Sequence, residues 1–432
     1  MSAFTDLKAL YAQPPPAFGK EALAQLWALD PEYANLNNGS YGTPPKAVLQ
    51  SAFEISQEIE SNPDAFHRYG YQTRLQDARS KLGKLIGAER DEVFLVANAT
   101  TGVGTVMRNF EWEKGDVIII CNTTYAAVSN IGAYLADAAP NPKLVVLELH
   151  FPLTHEEIIE KFKAVLASPE AQPAGPNNKR VAIIDSIISN PGVLLPWKDL
   201  VKIAKEENVW SVVDAAHSIG QELDINLKEA QPDFWTSNCH KWLYSKRSCA
   251  VLYIPFRNQH IIKTTVPTSN YYIPLAKRNG NPNILEQFEW IGTLDYAPFL
   301  SVLEAIKFRE WLGGERKINE YCHDLAVKGG RIVAEILGTQ VMDPDASLTL
   351  NMVNVELPFP PTLKLSKELN MRLNKKLIEE HHAYSAWFFH NGKWWTRLSA
   401  QVFNDLDDFE KLGKVWLQVS NELKKEVEAS SA

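Results

Sequence analysis

The sequence predicts an α/β fold: a large domain around a mostly parallel sheet, with a smaller α+β domain after it. Three observations carry this reading. Between Glu92 and Pro255 short apolar runs alternate with amphipathic segments, the order expected when helices cross between parallel strands. Beyond the helical run "APFLSVLEAIKFREWLGGER" the pattern changes to "LTLNMVNVELPFPP", a further helix, "AYSAWFFHNGKWWTRLSAQVF" and a final helix. At 432 residues the chain is also longer than one hydrophobic core ordinarily organises. The expected division is an N-terminal segment over 1–35 packed on the small domain, a large domain over 36–299 and a small domain over 300–432.

The strand candidates of the large domain are seven: "VFLV", "DVIIIC", "KLVVLEL", "RVAIID", "VWSVVDAA", "FWTSN" and "CAVLYIP". Between them "THEEIIEKFKAVL" opens with a capping-box pattern, Thr154 to Glu157, and "PWKDLVKIAKEEN" carries Pro196 near its start. Ala167 to Arg180, rich in Pro, Asn and Ala, reads as a surface loop. No internal repeat or low-complexity tract interrupts the pattern.

Composition narrows the function classes. With 45% hydrophobic and 22% charged residues this is the profile of a soluble globular protein. A net charge of −8, a pI near 5.8 and the lack of a Lys/Arg-rich run argue against nucleic acid as a partner. No apolar stretch approaches a membrane span, and "AQPPPAFGK" breaks the region where a signal peptide needs an uninterrupted apolar core, so a cytoplasmic location is expected. Cys121, Cys239, Cys249 and Cys322 show no CxxC spacing, so neither a disulfide framework nor a metal site is expected.

Ligands of open α/β sheets bind at the carboxyl ends of the strands, and four polar clusters fall there. In "NATTGVGTVMRNF" Thr100, Thr101 and Gly102 open a helix whose free N–H groups and hydroxyls suit a phosphate, although an ordinary helix cap has the same look. In "TTYAA" Tyr125 follows a strand and suits stacking on a flat ring or proton donation; a half-buried loop tyrosine is the plain alternative. In "VVDAAH" an apolar strand ends in Asp214 with His217 beyond, where an acid is costly unless paired, and a capping role competes. In "SNCHKW" Lys241 stands between two apolar strands, against the alternative of a solvated turn lysine. Asp214 and Lys241 are spaced so as to end neighbouring strands and face one pocket.

One cofactor accounts for a lysine, an acid, a phosphate cradle and an aromatic together: pyridoxal 5'-phosphate. Its aldehyde takes the lysine amine as a Schiff base, the acid keeps the pyridine nitrogen protonated, and the ring accepts electrons from a substrate α-carbon. Dinucleotide binding is a weaker account, because "GVGTVM" lacks the third glycine of the fingerprint.

The set "NNGSYGTPP", "NATTGVGTV", "TTY", "VVDAAHSIGQ", "SNCHKWL", "WIGTLDYAPF" and "RLSAQVFN" resembles class V aminotransferase-type enzymes of the fold type I pyridoxal-phosphate superfamily. It is nearest the isopenicillin-N-epimerase-like group, which is itself similar to fungal carbon–sulfur lyases such as hercynylcysteine sulfoxide lyase. The similarity runs from about Leu36 to Asn404.

Position by position, the resemblance implies that Lys241 is the Schiff-base lysine, Asp214 the partner of the pyridine nitrogen and His217 a neighbour of the ring hydroxyl. It places Thr100, Thr101 and His240 at the phosphate with Asn238 or Ser237 nearby, and assigns Thr293 to the phosphate site of a neighbouring subunit, which makes a homodimer with shared sites the expected assembly. Arg397 matches an arginine that binds a substrate α-carboxylate, a role suited to its bidentate fork. Asn37 and Ser40 border the substrate, and Ser189 or Asn190 lies over the ring.

One departure from the pattern concerns sulfur transfer. Cysteine desulfurases of this class carry a mobile nucleophilic cysteine downstream of the lysine, whereas the last cysteine here, Cys322, sits in the helix-like "INEYCHDLAV" and reads as packing. The expected reaction is therefore β-elimination from a cysteine-derived amino acid, with Lys241 removing the α-proton and Tyr125 the candidate proton donor. Epimerisation, transamination or cyclisation in fungal secondary metabolism, and a catalytically silent α/β binding protein, are the alternatives.

Overall fold

The computed structural model describes residues 6–268, 272–277, 283–360 and 362–431. Seven of its strands form one sheet: β2 (Val93–Val96), β3 (Val117–Cys121), β4 (Lys143–Leu147), β5 (Arg180–Asp185), β6 (Val209–Asp214), β7 (Phe234–Asn238) and β8 (Ala250–Tyr253), preceded in the chain by the short β1 (Ala34–Asn35). Their order is β2-β8-β7-β6-β5-β3-β4. β3, β5 and β6 read as largely apolar runs because helices cover both faces, as a parallel sheet requires, while β7 is equally buried but ends in Thr236, Ser237 and Asn238. All seven expected strands are present.

Two helices illustrate why the crossovers form where they do. Helix His155–Ala167 begins with Thr154 and Glu157 capping each other reciprocally, and helix Trp197–Glu206 starts directly after Pro196. The loop expected over Ala167 to Arg180 is shorter than that: Pro169–Ala171 form a 3₁₀ turn, and Arg180 is already the first, buried residue of β5.

The sheet is mostly parallel, as expected, with one exception. β8 pairs antiparallel with both β7 and β2, so it runs against the other six. The connection from Asn238 to Ala250 contains no helix. A parallel return needs a crossover long enough to travel back along the sheet, and this link instead folds into the loop that carries Lys241.

A second sheet joins β9 (Met352–Leu357), β11 (Ala386–His390) and β12 (Lys393–Ser399) in the antiparallel order β11-β12-β9, while β10 (Ala383–Tyr384) pairs in parallel with β1. Helices Gly314–Leu337 and Leu406–Ser431 cover it. Close packing there depends on glycines: a Cβ on Gly330 would lie 2.6 Å from Val353 Cγ2, and one on Gly329 would lie 2.3 Å from Phe409 Cδ1. The N-terminal segment seals the seam through Trp27, which is fully buried and edge-on to Tyr244 and Phe308.

After β1 the chain passes directly over the lysine loop. Asn37 bridges to Ser399 of β12, Asn38 Nδ2 donates to the Lys241 carbonyl at 3.1 Å, and the chain turns at Gly42. Gly42 has φ +64°, and a Cβ there would lie 1.7 Å from the His240 carbonyl oxygen. Gly42→Ala is therefore expected to destabilise the protein by at least about 2 kcal/mol, from backbone strain plus overlap. A thermal melt indistinguishable from wild type would show that this close approach is not required.

Candidate active site

The carboxyl ends of β3, β5, β6 and β7 meet at the place where the strand order reverses, and a cavity of about 250 Å³ opens there. Asp214 closes β6 and lines the cavity almost completely buried; its Oδ1 accepts from Ala216 N–H at 3.1 Å. No lysine or arginine lies within ion-pair distance of it among the described residues. Burial raises the Asp214 carboxyl above the usual carboxylate range, with the Ala216 N–H and the Lys241 charge opposing.

Lys241 follows β7 on the loop that Asn38 holds. Burial pushes its ammonium down to about 7, helped by the charge of Arg397 and opposed by Asp214. The hydrogen bonds report the same charge state. The Trp242 indole N–H, which can only donate, meets His217 Nδ1 at 3.3 Å, so the imidazole proton sits on Nε2. Nε2 lies 3.1 Å from Lys241 Nζ, and an amine that accepts this proton must be uncharged. His217 is itself held neutral chiefly by burial, with the nearby charge of Arg397 adding to it.

The helix Ala99–Asn109 points its N-terminus at the cavity. Asn98 caps it by accepting from Thr101 N–H at 2.8 Å, and Asn238 Oδ1 at the end of β7 accepts from Ala99 N–H at 2.9 Å. Gly102 permits the close approach, since a Cβ there would lie 2.5 Å from Thr236 Oγ1. Thr100 lines the cavity; Thr101 does not, because its hydroxyl is bonded to Asn98 Oδ1 at 3.0 Å on the exposed side. His240 lines it as well, its Nδ1 on the Cys249 carbonyl at 3.0 Å, and burial pushes its imidazolium down to about 4. Ser237 is fully buried away from the cavity, accepting from Ile219 N–H and donating to the Ala215 carbonyl.

Arg397, in the centre of β12, brings the second sheet to this site. Its side chain is 1% exposed. Nη1 donates to the Ser189 carbonyl at 2.6 Å, and Nη2 to Ser40 Oγ at 3.0 Å and Asn37 Oδ1 at 3.2 Å. No carboxylate pairs with it among the described residues, and its Nε has no acceptor. Burial lowers the guanidinium to about 10, which leaves it charged at neutral pH. Gly192 makes room for the side chain, as a Cβ there would lie 2.8 Å from Arg397 Cδ.

Tyr125 lies at the rim, 53% exposed, where it starts helix Ala126–Asp137. Of the two alternatives over the ring, Ser189 lines the cavity, whereas Asn190 is exposed beside Pro191 and does not. Thr293 is exposed and outside the cavity of its own chain. Cys322 is fully buried, its Sγ 3.7 Å from Gln401 Oε1, as packing rather than chemistry would have it.

The residues that sequence reasoning missed are Asp185, Thr124 and Tyr41. Asp185 ends β5 in register with Asp214 of β6 and accepts from Thr124 Oγ1 at 2.8 Å. Burial, with the charge of Asp214 behind it, pushes the Asp185 carboxyl up to about 8. The available signal was that "RVAIID" and "VWSVVD" both end in aspartate. Tyr41 stands at the mouth, 68% exposed, next to Ser40.

An uncharged Lys241 has a direct chemical consequence. In the cofactor-free protein its amine should react with a small amine-directed reagent with a half-maximal rate near pH 7, while ordinary lysines of pKa about 10.4 stay protonated and slow. Peptide mass spectrometry after brief labelling across pH checks this, and a Lys241 profile like that of surface lysines would contradict the assigned charge state.

Comparison with known proteins agrees with this architecture. The profile of the aminotransferase class-V family matches residues 35–371. The L-cysteine desulfhydrase-like protein lolT1 of Epichloe uncinata is 35% identical over 437 residues, which cover 92% of this chain and 94% of the relative. The hercynylcysteine sulfoxide lyase of Schizosaccharomyces pombe is 32% identical over 390 residues, covering 90% and 94%. Among solved structures, the apo cysteine desulfurase of Thermococcus onnurineus superposes with a TM-score of 0.74 at 18% identity, covering 95% of this chain and all of that one. At that identity the likeness concerns the fold. With more than half of the chain matched by the family profile, and with relatives above 30% identity along almost all of it, this chain belongs to the class-V aminotransferase family.

Proposed function

We propose that the chain is a pyridoxal-phosphate-dependent carbon–sulfur lyase that cleaves a cysteine-derived amino acid, an S-conjugate or sulfoxide, by β-elimination. The observation that carries this reading is a charged, buried Arg397 with no paired carboxylate among the described residues, joined through Ser189 and Ser40 to the cavity that holds a lysine lowered to about 7 and a buried acid. The residues fit the cofactor. Asp214 is a buried acid without a bonded cation among the described residues, suited to a protonated ring nitrogen, and the N-terminus of helix Ala99–Asn109 with Thr100 and His240 suits a phosphate. Lys241 is the amine for its aldehyde. When bound, pyridoxal phosphate supplies an electron sink for the pair left at a substrate α-carbon.

The chain's own groups do the rest. Arg397 pairs with the substrate carboxylate and fixes the α-carbon relative to Lys241, and its remaining bonds to Asn37 and Ser40 hold the fork in plane. The Lys241 amine takes the α-proton. Cleavage of the β-carbon–sulfur bond sends the electron pair to sulfur, and Tyr125 at the open rim donates the proton to the departing sulfur. After hydrolysis the three-carbon remainder leaves as pyruvate and ammonia. The names of two relatives, a desulfhydrase-like protein and a sulfoxide lyase, support elimination over the other fates of the same α-carbon.

Two further readings belong with this one. The scattered, buried cysteines Cys121, Cys239, Cys249 and Cys322, without CxxC spacing, go with a cytoplasmic setting. The exposure of Thr293 outside its own cavity, and of Tyr41 and Tyr125 at the rim, supports a homodimer in which Thr293 completes the partner's phosphate site.

A panel of cysteine, cysteine S-conjugates and cysteine sulfoxides should release pyruvate stoichiometric with the sulfur product; recovery of the opposite enantiomer without pyruvate would replace elimination by epimerisation. Lys241→Ala should abolish borohydride-dependent fixation of pyridoxal phosphate as well as turnover. Arg397→Lys should raise KM more than it lowers kcat, by about 10- to 100-fold, because a bidentate contact becomes a point charge.

The shared site has its own test. Thr293→Val should weaken cofactor affinity by about one to two decades, the value of a hydrogen bond to a charged phosphate. If Thr293 serves the partner, mixing Lys241→Ala with Thr293→Val subunits gives heterodimers with one fully native site, and activity at limiting cofactor returns. If Thr293 serves its own chain, no native site forms and no activity returns.

A further inference from the structure

We infer that Asp185 is a second cofactor-facing acid: from β5 it shares with Asp214 of β6 the holding of the protonated ring nitrogen, and Thr124 is its positioning residue. The inference rests on the pyridoxal-phosphate reading above and adds a residue to it. Asp185 and Asp214 are register partners on adjacent parallel strands, both 3% exposed, and both line the same cavity. Two carboxyls buried side by side are a poor solution for stability alone, since each disfavours the charge on the other. They become useful when a cation enters between their strand ends.

The anchoring is specific. Thr124 Oγ1 accepts from Cys121 N–H at 3.1 Å and spends its proton on Asp185 Oδ2 at 2.8 Å. The carboxyl is thus tied to the end of β3 on one side and left without a basic partner within ion-pair distance among the described residues. The titratable groups around it are Asp214 on β6, the buried Cys121 thiol on β3, and Lys241, His217 and Tyr125 across the cavity. Burial and the Asp214 charge keep Asp185 protonated up to about pH 8. A cation at the strand ends reverses that balance, so cofactor binding draws the proton off Asp185 and becomes tighter as pH rises toward 8. A merely structural Asp185 needs only to accept from Thr124, and an asparagine does that equally at every pH.

The test is the dissociation constant of pyridoxal phosphate, followed by tryptophan fluorescence in substrate-free protein, near pH 6.5 and near pH 8.5, on either side of the Asp185 transition at about 8. The ratio of the Asp185→Asn value to the wild-type value should rise by about tenfold between the two conditions, the scale of one neighbouring charge. Titrations of Lys241, His217 and His240 are common to both proteins and cancel in the ratio. Thr124→Val, which removes the bond that favours the charged carboxyl, should move the pH of the affinity rise upward; it also serves if Asp185→Asn does not fold. A ratio unchanged between the two pH values, or a Thr124→Val profile at the wild-type position, overturns the role of Asp185 and leaves the cofactor reading standing. Wild-type protein that takes up no pyridoxal phosphate overturns both.

Discussion

The proposed chemistry depends on lowering the charge of one lysine inside an acid-lined cavity. On that reading Lys241 attacks an aldehyde and removes an α-proton, and an ammonium can do neither, so its position at about 7 governs both steps. Three features set it: partial burial, the Arg397 charge on the far side, and the His217–Trp242 relay that presents an imidazole N–H to the amine. Because the indole can only donate, the tautomer of His217 is fixed by a residue with no chemistry of its own. Asp214 opposes the effect. The balance explains why the lysine sits beside the acid without a direct ion pair, which would keep it protonated.

Arg397 imposes the second constraint, because its bonds tie the second sheet to residues that border the cavity. A guanidinium buried without a carboxylate is costly, and three neutral acceptors from separate parts of the chain offset only part of the cost. Those acceptors, Asn37, Ser40 and Ser189, come from the segment after β1 and from the loop after β5. Gly192 and Gly39 leave the space that the side chain occupies. On the proposed reading a substrate carboxylate supplies the missing anion, and the charge that would bind it is in place beforehand.

How much of this was legible in the sequence follows from the kind of signal each part carries. Most of the seven strands were legible because a sheet buried on both faces writes its strands as apolar runs. The direction of β8 was not, since an apolar run has no polarity, and only the helix-free connection before it sets the turn. Lys241 and Asp214 were legible as costly residues at strand ends. Asp185 has the same character but was absorbed into "RVAIID" as strand, and its pairing with Asp214 appears only once β5 and β6 are side by side. Thr101 was indistinguishable from Thr100 in sequence, yet the one-residue rotation of the helix between them puts its hydroxyl on Asn98. The choice between Ser189 and Asn190 needed the backbone path before Pro191, and the acceptors of Arg397 lie hundreds of positions away from it.

These assignments also describe where the protein gives up stability. For Lys241, depressed from 10.5 to about 7 in the fold, the penalty is absent above about pH 10.5, grows as pH falls and is complete below about 7. For Asp185, raised from 3.8 to about 8, the favourable contribution of the folded state is complete below about pH 4 and is lost as pH rises through 8. Near neutrality both work against folding, each on the order of a few kcal/mol before relaxation and water entry reduce it. A ligand that neutralises the amine covalently and places a cation beside the acids removes both penalties at once, and binding to the folded state alone stabilises by mass action. The cavity is therefore the least comfortable part of the apoprotein and the part most stabilised by occupancy. Hydrophobic burial in the surrounding sheet, covered on both faces, is what allows the fold to tolerate that arrangement in its absence.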